Sequence, residues 1–512
     1  MTETPAPLSR RQSIWLVVSI MMATVMQVLD TTIVNVALPH IQGDLAATPS
    51  QIGWVLTSYI VPAAIFMTLT GYFSERLGQR RYLVISMAGF TVTSVLCGLA
   101  DSLSMLVTFR ILQGIFGASL VPMSQAIMVQ NFPPEARGRM MGLWSVGVMV
   151  GPILGPTLGG WLTDALSWRW TFFINLPLGV VSTLIAWKVV PQGKRIRRPM
   201  DWWGFVLLVM ALGGLQMLLD RGAGEDWYES NEIRLLTLFS VVGFIGYFWH
   251  SAQPAGKVLV NLEIFKDRNF STSCLLMVAC GIGMYGTMVL LPLLMQNLLG
   301  YTASQAGLMM APRGIASMIS MVTVGRLMDY IEPRRLVVAG AVLFCLGTLP
   351  MTNYSLQIDS FWLVVPGFIQ GLGLGMLLVP LSTLAYSSVP PALVADATGV
   401  FSLMRTLGQA LGISIVTMLL SQRSQIYWHE LGAQLRLDSS SVQAWLLPLG
   451  IAGDSKEAGM LMAMELGKQS HLLAFLDSFV FVLVAFIAVM PALLLIRKIG
   501  TRQQQQAAST QK

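Results

Sequence analysis

Charge is what this 512-residue chain has least of. Lysine, arginine, aspartate and glutamate together make up 11% of it, against about 25% in a soluble domain, too few ionised groups to cover a water-facing surface. Histidine and cysteine are as scarce, at four each. Cys97, Cys274, Cys280 and Cys345 all lie in apolar runs with no metal-ligand spacing, so they read as buried thiols, not as disulfides or a metal centre. His40, His250, His429 and His471 fall at the ends of apolar runs or in loops, and no chemistry is assigned to them. A GxxxxGK[ST] phosphate loop is lacking, since Gly467-Lys468 is followed by Gln, which argues against ATP drive. GxSxG and HExxH are lacking too, so no enzyme class has a foothold. The net charge of +7 does not point to nucleic acid, because the basic residues sit in short loops where they act as topology determinants. Neither a nucleic-acid partner nor a cofactor is expected.

What is abundant is apolar sequence, 54% of the chain. A bilayer core needs about 20 apolar residues per spanning helix. Such runs, bounded by polar, Pro or Gly punctuation, fall near 14–38, 51–73, 82–100, 103–122, 138–163, 168–190, 202–220, 233–252, 271–297, 303–328, 335–353, 360–386, 398–420 and 472–497. The expectation is an all-α integral membrane protein with fourteen spans, numbered here in that order. The polar opening of residues 1–13 has no small-residue cleavage site, so span 1 is expected to be retained. With the N-terminus inside, Arg10, Arg11, Arg76, Arg80, Arg81, Arg137, Arg139, Lys194, Arg195, Arg197, Arg198, Lys266, Arg268, Arg334, Arg335, Arg497 and Lys498 are all cytoplasmic, as the positive-inside rule requires. Both termini are then cytoplasmic, the acidic 220–232 loop is external, and so is the long segment 421–471.

The second half of the chain repeats the first. Gly71, Glu75, Arg80 and Arg81 recur 254 residues later as Gly325, Asp329, Arg334 and Arg335. Gln113, Gly114, Pro133, Pro134, Gly142, Ser145, Gly151 and Gly155 recur 257 residues later as Gln370, Gly371, Pro390, Pro391, Gly399, Ser402, Gly408 and Gly412. Span 2 thus pairs with 10, span 4 with 12 and span 5 with 13. The organisation expected is six spans over 14–190, a linker with two inserted spans over 191–270, six spans over 271–497 and a tail over 498–512. Parallel repeats of this kind place a substrate site near the midplane between the halves.

Four motifs resemble those of the major facilitator superfamily. GYFSERLGQRR after span 2 looks like its cytoplasmic-loop motif, with Glu75 where Asp is usual, and RILQGIFGA in span 4 resembles its arginine motif. GVMVGPILGPTLGG at 147–160 resembles the antiporter motif of span 5, and LDTTIVNVALP at 29–39 is similar to the first-span motif of 14-span drug:proton antiporters. With the fourteen spans and the long last external segment, the resemblance covers nearly the whole chain and points to the EmrB/QacA branch, closer to EmrB-like multidrug exporters. It implies a 6+2+6 major facilitator fold in a bacterial inner membrane, exporting drug-like compounds by alternating access with the proton gradient as energy source. It also implies a periplasmic membrane-fusion adaptor and an outer-membrane channel as partners. One proton moving inward at ~150–200 mV supplies roughly 3.5–4.6 kcal/mol, enough for a gradient of several hundredfold or more.

The same motifs have readings of their own. A carboxylate beside Arg76, Arg80 and Arg81 can form a charge network that latches one state and breaks in the other. Plain topology also accounts for the arginines, but not for the recurrence of Gly71, Glu75, Arg80 and Arg81 at Gly325, Asp329, Arg334 and Arg335. Gly147, Gly151, Gly155 and Gly159, with Gly160, place small residues at helical spacing for close packing, while Pro152 and Pro156 remove backbone donors.

Asp30 and Arg110 lie deep in spans 1 and 4, where a charge costs at least ~2.5–3.5 kcal/mol. Each must face a cavity or a partner. Their repeat counterparts are Met284 and Gly367, so neither charge belongs to the shared scaffold. The functional reading is that Asp30 carries the proton and Arg110 biases its charge state or that of the substrate; a structural, hydrogen-bonded Asp30 and an Arg110 that anchors helices to one another are the alternative. Arg313 and Arg405 are unmatched as well, opposite Tyr59 and Val148, and with Gln27, Asn35, Tyr59 and Gln113 they are candidates to line the substrate cavity. A cavity with cations and few carboxylates should favour small lipophilic neutral or weakly acidic compounds over dications; the alternative is that Arg313 and Arg405 snorkel or pair elsewhere and leave selectivity to shape. The 32 methionines would suit a promiscuous apolar pocket. Export of one specific metabolite or siderophore, or a non-transporting sensor on the same scaffold, remains an alternative.

Overall fold

The computed structural model describes residues 9–496 apart from 194, 197–198, 223, 226, 253–258, 261, 436–438 and 450–454. Lys194, Arg197, Arg198, Arg497 and Lys498 therefore lie outside the described residues, as do the side chains of Pro152 and Pro156. Every regular element among the described residues is helical. Twelve helices are long and apolar enough to cross a membrane, and fourteen if two bent pairs each count as one.

Spans 1 to 6 are Arg10–Asp44, the bent pair Trp54–Thr68 and Thr70–Leu77, Gln79–Gly98, Leu103–Asn131, Pro134–Ala165 and Trp170–Val189. Trp202–Arg221 and Asn231–Ser251 are the inserted spans 7 and 8; span 7 packs on spans 2 and 13, and span 8 packs on span 7. Spans 9 to 14 are Arg268–Asn297, Ala303–Leu327, Pro333–Asn353, Ser360–Tyr386, Val394–Gln434 and Lys456–Leu495. Large apolar side chains such as Leu184, Ile245 and Leu308 are more than 60% exposed around the perimeter, as a lipid-facing surface demands.

The repeat visible in the sequence is a repeat of contacts. A Cβ on Gly114 would strike the backbone of Tyr59, and one on its counterpart Gly371 would strike the backbone of Arg313, the counterpart of Tyr59. Gly142 lies against Met321 and Gly325, while Gly399 lies against Met67, which is 254 residues before Met321. These are two of the places where the halves meet, span 5 over span 10 and span 13 over span 2, and only a residue without a side chain allows backbones this close.

The segment 421–471 is not the loop expected. Span 13 runs on unbroken to Gln434, Ser440–Leu446 forms a short helix, and span 14 starts at Lys456. The two extensions form a helical hairpin pinned by Tyr427, whose hydroxyl donates to Asp477 at 2.8 Å, and by Arg423 at 3.3 Å from the same carboxylate. Period-3.6 apolar positions in the extensions are diluted by polar residues, which is why hydropathy alone ends the spans early.

Candidate functional site: a buried ion pair beside a cavity between the halves

Asp30 and Arg110 find each other. Asp30 is fully buried and Arg110 is 1% exposed, with Arg110 Nη1 2.7 Å from Asp30 Oδ2. Gln113 Nε2 donates to Asp30 Oδ1 at 2.8 Å and Asn175 Nδ2 donates to the same oxygen at 3.1 Å. Arg110 also donates from Nε to the Val55 carbonyl at 3.0 Å and from Nη1 to Gln113 at 2.8 Å, and its guanidinium lies 4.3 Å from the centre of the Tyr59 ring. The helical spacing of Arg110 and Gln113 puts both on one face of span 4, aimed at span 1. The pair sits inside the first half, with both carboxylate oxygens occupied.

A separate cavity of about 830 Å³ lies between the halves. Spans 1 and 5 wall one side and spans 9, 10 and 12 the other. Its surface is mostly apolar, with Met149, Met284, Met288 and Met310 among the lining residues. His40 and Asp164, 3.9 Å apart, and Trp161 stand exposed at its mouth. The opposite, arginine-bearing end is shut. There Arg139 of span 5 pairs with Asp329 after span 10, its Nε at 2.8 Å, and Gly142 packs on Met321. Tyr386 of span 12 also donates to Gln125 of span 4 at 2.9 Å.

Of the cavity candidates, Asn35 and Arg313 line this space. The other four do not. Gln27 accepts from the Val121 backbone N–H at 2.9 Å, which satisfies a donor freed by the break in span 4 at Ala118–Ser119. Tyr59 and Gln113 are committed to Arg110 and Asp30. Arg405 borders only a void of about 20 Å³ in the shut interface, with Gln125, Trp144 and Ser402. Gln27 and Gln113 are held by nearer polar partners inside the protein, and Tyr59 by its ring contact with Arg110.

Asp329 pairs across the halves with Arg139, while Arg334 reaches the Ile496 carbonyl and Arg335 sits 3.8 Å from Glu332. Arg80 lies over the Trp187 ring, and Arg81 is exposed. Glu75 accepts the Ile196 N–H at its backbone carbonyl, and a Cβ on Gly71 would fall on the Asp396 carboxylate at the start of Thr70–Leu77. That helix N-terminus favours an anion. Asp396 stands 257 residues after Arg139, so it is the repeat counterpart of the latch arginine.

In span 5 the glycines serve two faces. A Cβ on Gly151, Gly155 or Gly159 would collide with Val28, Thr32 or Ile33 of span 1, and Thr32 donates to the Gly151 carbonyl at 3.0 Å. Gly147 and Gly160 have room, and Gly160 borders the cavity. The span that carries Asp30 is therefore clamped to span 5 just where the cavity begins. Sequence reasoning missed Asn175 and Arg139. An asparagine in the apolar run FFINLPLG was a legible signal, whereas Arg139 was indistinguishable from its topological neighbour Arg137.

The Major Facilitator Superfamily model matches residues 20–413. The chain belongs to this superfamily. Within it the chain is 37% identical over 429 residues to the multidrug export protein EmrB of Haemophilus influenzae, covering 83% of this chain and 84% of that one. It is 38% identical over 426 residues to the fatty acid resistance protein FarB of Neisseria gonorrhoeae, covering 82% and 83%. The fold is that of solved superfamily members such as the human organic anion transporter MFSD10, with a TM-score of 0.59 at 14% identity, covering 94% of this chain and all of that one. The protein is an EmrB-like multi-pass membrane transporter of the superfamily.

Proposed function

We propose that this multidrug exporter is a drug:proton antiporter in which Asp30 is the proton carrier, held in an outward-facing state with the arginine-bearing end cytoplasmic. The observation that supports it best is the separation of two sites on one helix. Span 1 presents Asp30 to Arg110, Gln113 and Asn175 on one face and Asn35, Val36 and Pro39 to the cavity on the other. Protonating Asp30 leaves the buried Arg110 without its counter-charge, so the pair must rearrange. Span 1 can transmit that rearrangement to the cavity wall and, through Gly151, Gly155 and Gly159, to span 5 with its Arg139 latch. The positive-inside pattern assigns the closed end to the cytoplasm. Both termini then face the cytoplasm of a bacterial inner membrane.

The decisive experiment uses proteoliposomes loaded with a pH dye and an imposed proton gradient. A lipophilic neutral or weakly acidic compound should accelerate dissipation of that gradient as it moves the other way. Compound movement with no proton flux would leave a facilitator and overturn the antiport reading.

The exposed apolar residues of the 421–471 hairpin, among them Leu447 at 79%, Met460 at 68% and Met464 at 61%, support an adaptor of the membrane-fusion type docking there, leading to an outer-membrane channel. Photocrosslinkers at Leu447 and Met464 should capture such an adaptor. Full resistance in cells lacking every adaptor of that type would overturn this part.

A further inference from the structure

The two halves hold their buried arginines differently. In the first half Arg110 comes from span 4 and lies against Tyr59 of span 2. In the second half the residue at the Tyr59 position is Arg313 and the residue at the Arg110 position is Gly367, whose absent side chain leaves the room that Arg313 fills, a Cβ there standing 3.7 Å from Arg313 Cβ. Arg313 Nη2 reaches Thr287 at 2.9 Å and the carbonyl of Met284 at 3.3 Å. Met284 is the repeat counterpart of Asp30. The guanidinium of the second half thus stands where that of the first half stands, facing the same position in the first span of its bundle, but a thioether has replaced the carboxylate.

The consequence is a cation without a counter-ion. Arg313 is 7% exposed, its Nη1 is buried with no hydrogen-bond partner, and no carboxylate among the described residues lies within ion-pair distance. Unlike Arg110, it borders the cavity. Ten residues into span 10, it is about 15 Å along the helix axis from the start, near the middle of the bundle. Among the described residues, the one carboxylate lining the cavity is Asp164, at the mouth and 76% exposed. Around Arg313 the wall is apolar, with Met284, Met288, Met310, Leu374 and Ile153. A buried guanidinium with free donor capacity in an apolar wall is complementary to one planar anion carried on an apolar body.

We infer that Arg313 is the specificity-determining residue of the cavity, an anchor that binds the carboxylate of an amphiphilic monoanion in the place Asp30 holds opposite Arg110. The substrate supplies the missing counter-ion, and its apolar body lies along the methionine wall. This rests on the exporter reading of the cavity, and it explains why a neutral compound of the same shape would still enter but bind less tightly.

The test compares 11-(dansylamino)undecanoate with its primary amide, which differs only in the charge of the head group, using purified protein for binding and proteoliposomes for transport. The wild-type protein should bind the carboxylate about tenfold more tightly than the amide, the scale of one charge-assisted contact. Arg313→Gln should bring the carboxylate down to the level of the amide, with a much smaller loss for the amide than for the carboxylate. Arg313→Lys, which keeps the charge but loses the fork, should fall between them. Retention of the tenfold preference in Arg313→Gln would overturn the anchor, and so would an equal loss for carboxylate and amide in that variant, since it would mark Arg313 as structural. Wild-type vesicles that move neither compound would overturn the exporter reading itself, a result separable from the other two.

Discussion

Asp30→Asn is expected to abolish proton-coupled efflux while the protein remains inserted in the membrane. Asparagine matches aspartate in size and can still accept from Gln113 or Arg110, so packing is preserved. What is lost is the exchangeable charge. Removing one member of a fully buried pair also costs about 3–5 kcal/mol of stability, because the remaining charge is left uncompensated. The single variant should therefore unfold at lower temperature in detergent than the wild type. The double variant Asp30→Asn/Arg110→Gln should regain part of that loss, since a neutral hydrogen-bonded cluster replaces a stranded cation, yet it should stay inactive in the proton-flux assay. Full efflux by Asp30→Asn under a proton gradient would remove Asp30 from the coupling step. Equal stability of the single and double variants would show that Arg110 finds other compensation.

Gly142→Leu is expected to stop transport by preventing closure of the arginine-bearing end. Any side chain at 142 meets the Met321 carbonyl at 2.7 Å and the Gly325 Cα at 3.2 Å. Overpacking of that order costs about 1–3 kcal/mol, enough to shift a two-state ratio by about tenfold or more. The cost falls only on the state in which spans 5 and 10 cross closely. Labelling of Asn35→Cys at the open cavity by a membrane-impermeant maleimide on intact cells should fall by about that factor. Arg139→Gln should shift the same readout in the same direction but by less. Arg139 is 48% exposed although Asp329 is 8%, and solvent screening leaves such a pair worth about 1 kcal/mol or less. Unchanged labelling in Gly142→Leu would mean that this crossing does not move during transport.

Much of the site's membership was readable from spacing and composition, and its connectivity was not. Asp30 and Arg110 announced themselves because a charge deep in an apolar run needs compensation wherever it sits. Gln27, Tyr59 and Gln113 were singled out as polar groups in spans, and that much is a property of the sequence. Whether such a group faces a cavity or another helix depends on which way its helix is turned. A rotation of one residue, about 100°, exchanges the two. The turn is set by glycine faces such as Gly151–Gly155–Gly159 of span 5, packed against span 1, not by the polar residue itself.

By itself the sequence determined the local quantities. Hydropathy summed along the chain yields the spans, because transfer from water to lipid is nearly additive over a helix. The 254- and 257-residue offsets reveal two copies of one bundle, and the unmatched Asp30, Arg110 and Arg313 mark where the copies depart from their common plan. Only the tertiary structure decided what those departures meet. It joined Arg139 to Asp329 across 190 residues, enclosed Asp30 between Gln113 and Asn175, and left Arg313 beside the cavity with a free donor. An ion pair or a hydrogen bond reaches no more than about 3–4 Å. Its partner is chosen by how two helices cross, and that crossing follows from all the contacts of both halves at once.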